Sequence, residues 1–552
     1  MPLVHPNTSA FTWMDEYPPI YQRGKIRASY NDNLNGHALK EITHSGIIKD
    51  FIPLRQVILF SLLWLFRVFN ALVIKTYFQP DEYWQSLEVA NVLVYKFGYL
   101  TWEWRYGLRC IFHPLIFATG FRFMQVLGLD TVGMRLILPK IMQGTFAAFG
   151  DFWTYKLARR LFGRESGHWA LFCSVASAWN FYVLPRTFSN SLETILTAGA
   201  FYYWPWSAKS KKDENLLIAL TLAGVACSLR ITNFLLWLIL GINYLFRGYP
   251  ISSTIIMDAT IVAVPIAGAM VLLDSHFYGT LSFTAIKFLQ FNIVESLSSF
   301  YGRNPWHYYL TQGLPLLTNT MLPFTFLGLY QFRNTSPSVL VFIVVLCYSL
   351  LAHKEARFIF PLLPLLFSLT GKALSSVNRR VKQVASVVFV VVNVILAFYV
   401  TQIHQSGVIA VIDGLREDAN VTSLAVLMPC HSTAWQQQLQ RPDINAWFLT
   451  CEPPLNVPME ERDGYMDEAD VFYHDQVAFI NKTFKSTEED SGRRDWPSHI
   501  IAFDALTNTV EPVFQEHGYR QCKRYFNSHW HEDKRRRGDV VVWCQEKKIN
   551  QE

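Results

Sequence analysis

Charged residues are scarce in this chain of 552 residues. Asp, Glu, Lys and Arg make up 17% of it, whereas hydrophobic residues make up 51%. Soluble domains carry about a quarter charged residues, so the shortage excludes an ordinary soluble globule. The aromatic share of 15% agrees with a membrane protein, because Trp and Tyr concentrate at membrane interfaces.

The signatures of several function classes are also missing. The scattered histidines and the eight cysteines have no zinc-site spacing, and the chain has neither a glycine-rich phosphate loop nor a G-x-S-x-G elbow. The basic run 534–537 stands apart from any repeated aromatic pattern, which indicates a solvated surface. We therefore expect no metal, no cofactor and no nucleic-acid partner.

We expect no cleavable signal peptide either, since the first fifty residues are polar and have no apolar core. We expect residues 1–50 to be a disordered cytosolic tail and residues 51–402 to be a multi-span, α-helical membrane domain. A spanning helix needs about 20 residues. The apolar segments predict about 11 spans, at 54–76, 134–157, 168–184, 189–206, 215–229, 231–246, 255–273, 314–332, 338–352, 357–371 and 384–401.

The orientation follows from the basic residues, which are enriched in cytosolic loops. If the N-terminus is cytosolic, the even-numbered loops between the predicted spans face the cytosol. These loops contain the basic clusters: Arg159 and Arg160; Lys209, Lys211 and Lys212; Arg247; Arg333; Arg379, Arg380 and Lys382. Counting the apolar stretch 112–128 as a further span would place all of these basic clusters on the non-cytosolic side. We interpret that stretch as an interfacial or re-entrant helix inside a non-cytosolic loop, 77–130.

The same parity places residues 403–552 outside the cytosol. This segment has no span, and its short strand-like runs predict a separate α/β soluble domain. Glycosylation reports the compartment of a sequon. We expect glycan only on Asn420 and Asn481, because Asn7 and Asn334 fall on the cytosolic side.

Two acidic residues, Asp81 and Glu82, follow Pro80 at the exit of the first span. Carboxylates this close to hydrocarbon need a partner or a function. One alternative is that they cap and complement the helix that follows. The run 101–105, TWEWR, adds two indoles and a potential ion pair, and its alternative is an interfacial aromatic belt. A carboxylate here could serve as a general base.

A cationic cluster, His353, Lys354 and Arg357, falls on the same non-cytosolic face, against the positive-inside trend. Arg binds phosphate through a bidentate fork and Lys binds it as a point charge, although snorkelling to lipid headgroups is an alternative. Arg186 and Arg230 fall on that face too. An acidic base beside a phosphate cradle suits transfer of a group from a lipid phosphate to a hydroxyl.

Several blocks resemble the lipid-linked-sugar mannosyltransferases of glycosyltransferase family 22. They are PDEYWQSLEVA at 80–90, TWEWR at 101–105, FYGRNPWHYYLTQGLP at 300–315, HKEARFIFPLLP at 353–364, MPCHST at 428–433 and DEADVFY at 467–473. The resemblance implies the GT-C fold, the endoplasmic reticulum membrane and dolichyl-phosphate mannose as donor. In that membrane, the non-cytosolic side on which we expect the C-terminal domain is the lumen. The PWHYY and MPCHST blocks favour relatives that add an α-1,2-linked mannose, with inversion, to the second mannose of the glycosylphosphatidylinositol (GPI) precursor.

Motif matching implies that Asp81 is the general base and Glu82 its neighbour. It implies donor-phosphate or substrate binding by His353, Lys354, Arg357, Arg186, Arg230, Trp102, Arg105, Trp306 and His307. A related acceptor, dolichol-linked oligosaccharide, stays open as an alternative. A transporter or scaffold is the alternative of a different class, but the polar residues collect at one face and no internal repeat is visible, unlike many transporters.

Four of the cysteines, Cys430, Cys451, Cys522 and Cys544, lie in the segment without spans. An oxidising lumen permits disulfides, and four cysteines allow three connectivities. We favour Cys430–Cys451 and Cys522–Cys544, because each pair joins segments that are close in sequence.

Overall fold

The computed structural model describes residues 54–206, 215–246, 253–295, 297, 300, 302–455, 457–485 and 492–546, so the expected tail 1–50 lies outside the described residues. Up to residue 402 the α-helices are Leu54–Val73, Pro80–Glu82, Glu88–Tyr95, Trp102–Arg105, Phe112–Val126, Val132–Phe162, Arg164–Ala176, Ala178–Val183, Ser189–Tyr203, Leu216–Leu229, Phe234–Phe246, Ser253–Tyr278, Thr284–Leu289, Leu314–Thr318, Leu322–Gln331, Ser336–Ser349, Leu363–Ser376 and Arg379–Gln402.

Helices long and apolar enough to cross a membrane occur in four places among the described residues: Leu54–Val73, Ile256–Tyr278, Ala356–Ser376 and Arg379–Glu417. A fifth arises if Tyr309–Gln331 and Ser336–Ser349, bent by 114°, count as one span. The segment expected as one span over 168–184 is instead two helices, because Ser177 leaves the helical conformation and its side chain caps the second helix at Asn180.

The apolar stretch 112–128 is helical, from Phe112 to Val126, as expected for the first loop. Its residues Phe117 and Phe121 are fully buried and belong to a hydrophobic core that also contains Leu424 and Val426 of the C-terminal segment. The helix thus lies between the membrane part of the chain and the C-terminal segment.

The C-terminal segment contains a five-stranded mixed sheet, as the expected α/β class requires. Its strands are β1 (Ser423–Val426), β2 (Asn445–Phe448), β3 (His499–Phe503), β4 (Tyr519–Tyr525) and β5 (Val540–Gln545), in the order β2-β1-β3-β5-β4. β1 runs parallel to β2 and β3, whereas β5 is antiparallel to β3 and β4. The α-helices of this segment are Gly407–Glu417, Gln436–Leu439, Glu468–His474, Gln476–Thr483 and Thr507–Glu516.

Side chains alternate between the two faces of this sheet, as strand geometry requires. Ile501 and Val542 face the core shared with the first loop. Ile500 and Trp543 face a second core with Phe472 and Phe514 of the surrounding helices. Both predicted disulfides are confirmed, Cys430–Cys451 and Cys522–Cys544, and the second joins the adjacent strands β4 and β5.

Hydrogen bonds tie the first loop to the C-terminal segment. The Tyr77 hydroxyl donates to the His431 carbonyl at 2.6 Å, and the Trp84 indole donates to the Thr433 carbonyl at 2.9 Å. The buried Glu88 carboxylate accepts from the Gln437 amide at 2.8 Å. The C-terminal segment therefore shares its core and its hydrogen bonds with the loop that carries Asp81.

A fully buried ion pair lies within the helical bundle. Arg67 contacts Asp151 at 2.6 Å, and both side chains have 0% exposure. Asn70 and the Asn180 carbonyl accept from the guanidinium, and Ser174 donates to Asp151. The network joins the first helix to the helices Val132–Phe162 and Arg164–Ala176, so it fixes the position from which the chain leaves toward Asp81.

We expect Asp151→Asn to destabilise the protein strongly, because it leaves the Arg67 guanidinium buried without a counter-charge. Breaking a buried pair in this way costs about 3–5 kcal/mol. The measurement is the thermal stability of the detergent-solubilised protein and its abundance in membranes. Glu165→Gln is the matched control, since Glu165 forms an exposed pair with Lys382, worth about 0–1 kcal/mol. Equal effects of the two substitutions would contradict the prediction.

Candidate active site

Asp81 lies in a one-turn helix, Pro80–Glu82, which continues into a π-helical turn, Tyr83–Leu87. The helix begins after Gln79 and no side chain caps it, so Asp81 is not a cap, but both acids lie in the first turn, where their charge complements the helix dipole. The Asp81 carboxylate contacts the Arg357 guanidinium at 2.6 Å, and both side chains are 13% exposed. The two sequence clusters, which are 276 residues apart, thus meet in one site.

The charges around Asp81 determine its ionisation. Burial raises the pKa of Asp81, but the attraction of Arg357, followed by that of Arg109 and Arg230, outweighs burial and holds the pKa well below its usual range. The carboxylate is therefore ionised at neutral pH. It can accept a proton, but only as a weak base.

Arg357 also binds a second carboxylate, Glu355, at 2.6 Å and 2.7 Å. Burial raises the pKa of Glu355, yet Arg357 and His353 outweigh burial and lower that pKa to about 2. His353 contacts Glu355 at 3.1 Å and the Gly302 carbonyl at 2.9 Å. Arg357 is thus enclosed by two carboxylates, Asp81 and Glu355.

Glu82 points the other way and pairs with Arg186 at 2.8 Å. Arg186 is 2% exposed and donates further to the Tyr182 and Thr76 carbonyls and to the Thr76 hydroxyl, at 2.8–2.9 Å. These contacts hold the residues that follow the first span against the segment 182–187. The pair holds the turn in which Asp81 lies.

The remaining predicted site residues are more dispersed. The Lys354 ammonium donates to the Asn304 carbonyl at 2.7 Å. Trp306 is 70% exposed and packs against the His307 ring at 5.6 Å. Neither forms a hydrogen bond or ion pair with Asp81 or Arg357 within the described ranges.

The TWEWR run contains no ion pair of its own in the structure. Arg105 is exposed and reaches Glu452 of the C-terminal segment at 2.5 Å, whereas Glu103 lies 3.6 Å from Arg109. Trp102 is buried and its ring lies 5.5 Å from that of Phe291. The run therefore joins the loop to other segments.

Four residues near the site are not among those predicted from the sequence: Arg109, Glu193, Glu355 and His431. Glu193 lies 3.7 Å from Arg230 and accepts hydrogen bonds from Asn190 and Asn233. A carboxylate inside the apolar run 189–206 was a usable signal, because such groups are rare within spans. The contacts of Glu355 with His353 and Arg357 span only two residues, so its place between them was a usable signal too. Arg109 and His431 come near the site through contacts that spacing does not reveal.

His431 lies beside the Trp84 ring at 4.5 Å. The atoms of Cys430, His431 and Cys451 lie close enough to hold a metal ion. The two sulfurs are bonded to each other, however, and a disulfide offers no thiolate ligand. The disulfide therefore holds the His431 loop to the segment that follows β2, and the hydrogen bonds from Tyr77 and Trp84 join that loop to the Asp81 loop.

Comparison with known proteins decides the family. Residues 58–440 match the model of the Alg9-like mannosyltransferase family. The chain belongs to this family. A GPI mannosyltransferase 3 of Yarrowia lipolytica is 42% identical over 87% of this chain and 95% of its own length. A GPI alpha-1,2-mannosyltransferase 3 of Xenopus laevis is 34% identical over 84% and 86%.

A solved structure supports the fold. ArnT from Cupriavidus metallidurans, bound to undecaprenyl phosphate, superposes with a TM-score of 0.56 at 12% identity, over 90% of this chain and 99% of that one. The mannosyltransferase therefore has the expected GT-C fold in a multi-pass membrane protein. Family membership also decides against the transporter and scaffold alternatives, because this family consists of glycosyltransferases.

Proposed function

We propose that this mannosyltransferase moves mannose from dolichyl-phosphate mannose to the second mannose of the GPI precursor, forming the α-1,2 linkage of the third mannose. The names of the relatives support this acceptor. The observation that carries the catalytic role is the ionised Asp81 carboxylate, held by Arg357 at 2.6 Å on the loop after the first span. Dolichol-linked oligosaccharide is the alternative acceptor.

The transfer is a single displacement at C1 of mannose. The acceptor hydroxyl oxygen forms the new bond to C1 and loses its proton to Asp81. The bond between C1 and the phosphate oxygen breaks, and its electron pair leaves with dolichyl phosphate. Attack opposite to the leaving phosphate converts the β-linked donor to an α-linked product. A weakly basic carboxylate suits late proton transfer, after positive charge has developed on the sugar.

We place the protein in the endoplasmic reticulum membrane, with a cytosolic N-terminus, about 11 spans, and a lumenal C-terminal domain and catalytic loop. Contacts between the loops that carry basic residues support this assignment of loops to the two sides of the membrane. Lys382 pairs with Glu165 at 2.7 Å, and Phe332 packs on Phe162 at 5.3 Å. Three of the loops expected in the cytosol thus meet at one end of the bundle.

Glycosylation tests this topology. Asn420 and Asn481 are exposed, so we expect glycosidase treatment to increase the mobility of the wild type, and this shift to be lost in the Asn420→Gln, Asn481→Gln double variant. Asn334 is equally exposed and serves as the matched sequon on the opposite side. A glycan on Asn334 would overturn the proposed orientation.

The function is tested in microsomes that lack the endogenous enzyme. With labelled dolichyl-phosphate mannose, the wild-type protein is expected to extend a GPI precursor that carries two mannoses by one α-1,2-linked mannose. A dolichol-linked oligosaccharide offered at the same concentration is expected to stay unlabelled. Labelling of the oligosaccharide instead of the GPI precursor would establish the alternative acceptor.

A further inference from the structure

A cavity beside the catalytic loop is lined by two arginines, Arg109 and Arg230. Its volume is about 50 Å³, and it lies between the loop at 108–110, the helix break at 227–232 and the helices Ser253–Tyr278 and Thr284–Leu289. Its other walls are largely apolar and include Leu229, Ile231, Met270 and Phe288. An apolar pocket with a few charged groups at one side is typical of a ligand site.

Neither arginine is tightly bound to a carboxylate. Arg109 lies 3.6 Å from Glu103, and Arg230 lies 3.7 Å from Glu193, whereas Arg357 and Arg186 contact their carboxylates at 2.6–2.8 Å. The two distant carboxylates also accept hydrogen bonds from other side chains: Glu103 from the Thr101 hydroxyl, and Glu193 from Asn190 and Asn233. The guanidiniums therefore keep donors for another anion.

The other cations near Asp81 do not have this freedom. Arg357 lies between Asp81 and Glu355, Arg186 is held by Glu82, and Lys354 donates to a backbone carbonyl. Arg109 and Arg230 repel each other, and both act on the Asp81 carboxylate. An anion between the two guanidiniums would relieve this repulsion beside the general base.

The apolar walls indicate what the anion is attached to. Next to the cavity, Ile286 and Leu289 are exposed, and the helix Ser253–Tyr278 exposes Val264 and Leu272. This helix is long and apolar enough to span a membrane. The two helices that line the cavity thus also expose apolar side chains outside it, along which an isoprenoid chain can extend.

We propose that Arg109 and Arg230 bind the phosphate of the polyprenyl-phosphate donor, with the first isoprene units against Met270 and Phe288. This inference rests on the proposed function and deepens it, because it moves donor recognition away from the His353–Arg357 cluster. Arg357 then serves to position and ionise Asp81. The two arginines also neutralise the phosphate as it departs, since bidentate guanidiniums match phosphate oxygens.

The test measures binding of dolichyl phosphate, which remains of the donor after its mannose has been transferred. Binding is followed by the thermal stabilisation of the full-length protein in detergent. Dolichyl phosphate is expected to stabilise the wild type, whereas dolichol and inorganic phosphate at equal concentration are not. Arg109→Gln and Arg230→Gln are each expected to weaken this binding by about tenfold or more, as the loss of a charge-assisted hydrogen bond implies. Arg122→Gln, an exposed arginine of the same loop, is the matched control and is expected to bind as the wild type does.

The outcomes separate the two proposals. Absence of any dolichyl-phosphate effect on the wild type would refute the proposed donor. Wild-type binding that persists in both Arg109→Gln and Arg230→Gln would refute the phosphate site alone. If Arg230→Gln does not fold, Arg109→Gln decides, since Arg109 is partly exposed. Equal stabilisation by inorganic phosphate would refute the lipid-binding part of the inference.

Discussion

Asp81→Asn is expected to abolish most mannose transfer while leaving the protein folded. A general base contributes about 10²–10⁴-fold to a rate, and the amide cannot take the acceptor proton. The fold should survive, because Arg357 keeps its second carboxylate partner, Glu355, at 2.6–2.7 Å. The measurement is the initial rate of labelled mannose transfer, normalised to the amount of folded protein in the membrane.

The neighbouring acid provides the contrast. Glu82→Gln removes the counter-charge of the buried Arg186, so we expect lower abundance and lower thermal stability, with the rate per folded molecule affected less than in Asp81→Asn. If Asp81→Asn instead retains activity within a few-fold of the wild type, Asp81 is not the base. A loss of turnover in folded Glu82→Gln would move that role to Glu82.

Removal of Arg357 is expected to change the pH dependence of the reaction. Arg357 holds the pKa of Asp81 low against the effect of burial. Without it, burial dominates and the pKa rises, by about 1–3 pH units for the loss of an opposite charge at contact distance. Because Asp81 works in the ionised form, the acid limb of kcat/KM moves to higher pH in Arg357→Gln. Arg357→Lys keeps the positive charge and should move the limb much less.

This comparison uses the shape of the pH profile, which does not depend on how much active protein each variant yields. Arg333→Gln should retain the wild-type profile, because Arg333 is exposed and follows Phe332, which packs on Phe162. Identical acid limbs in Arg357→Gln and Arg357→Lys would show that the charge of Arg357 does not control Asp81. The pairing seen at 2.6 Å would then have no part in the ionisation of the base.

The family could be predicted from the sequence, and so could the acidic and cationic clusters that make up the candidate site. The low charge content excluded a soluble protein, and the family blocks pointed to a GT-C mannosyltransferase. Asp81 stood out because a carboxylate beside a span is costly unless it has a partner. Both disulfides followed from closeness in sequence, since each closes a loop of 21 or 22 residues. These features depend on local composition or on short spacing, so a sequence displays them directly.

The pairing of charges was decided by the tertiary structure alone. The sequence presents His353, Lys354 and Arg357 as one cationic cluster, but the fold directs Arg357 to Asp81 and Glu355, and Lys354 to the Asn304 carbonyl. Arg109 and Arg230 are 121 positions apart along the chain and line one cavity only because distant helices pack together. A buried charge takes whichever partner the packing brings within a few ångströms, and that choice depends on contacts between segments remote in sequence.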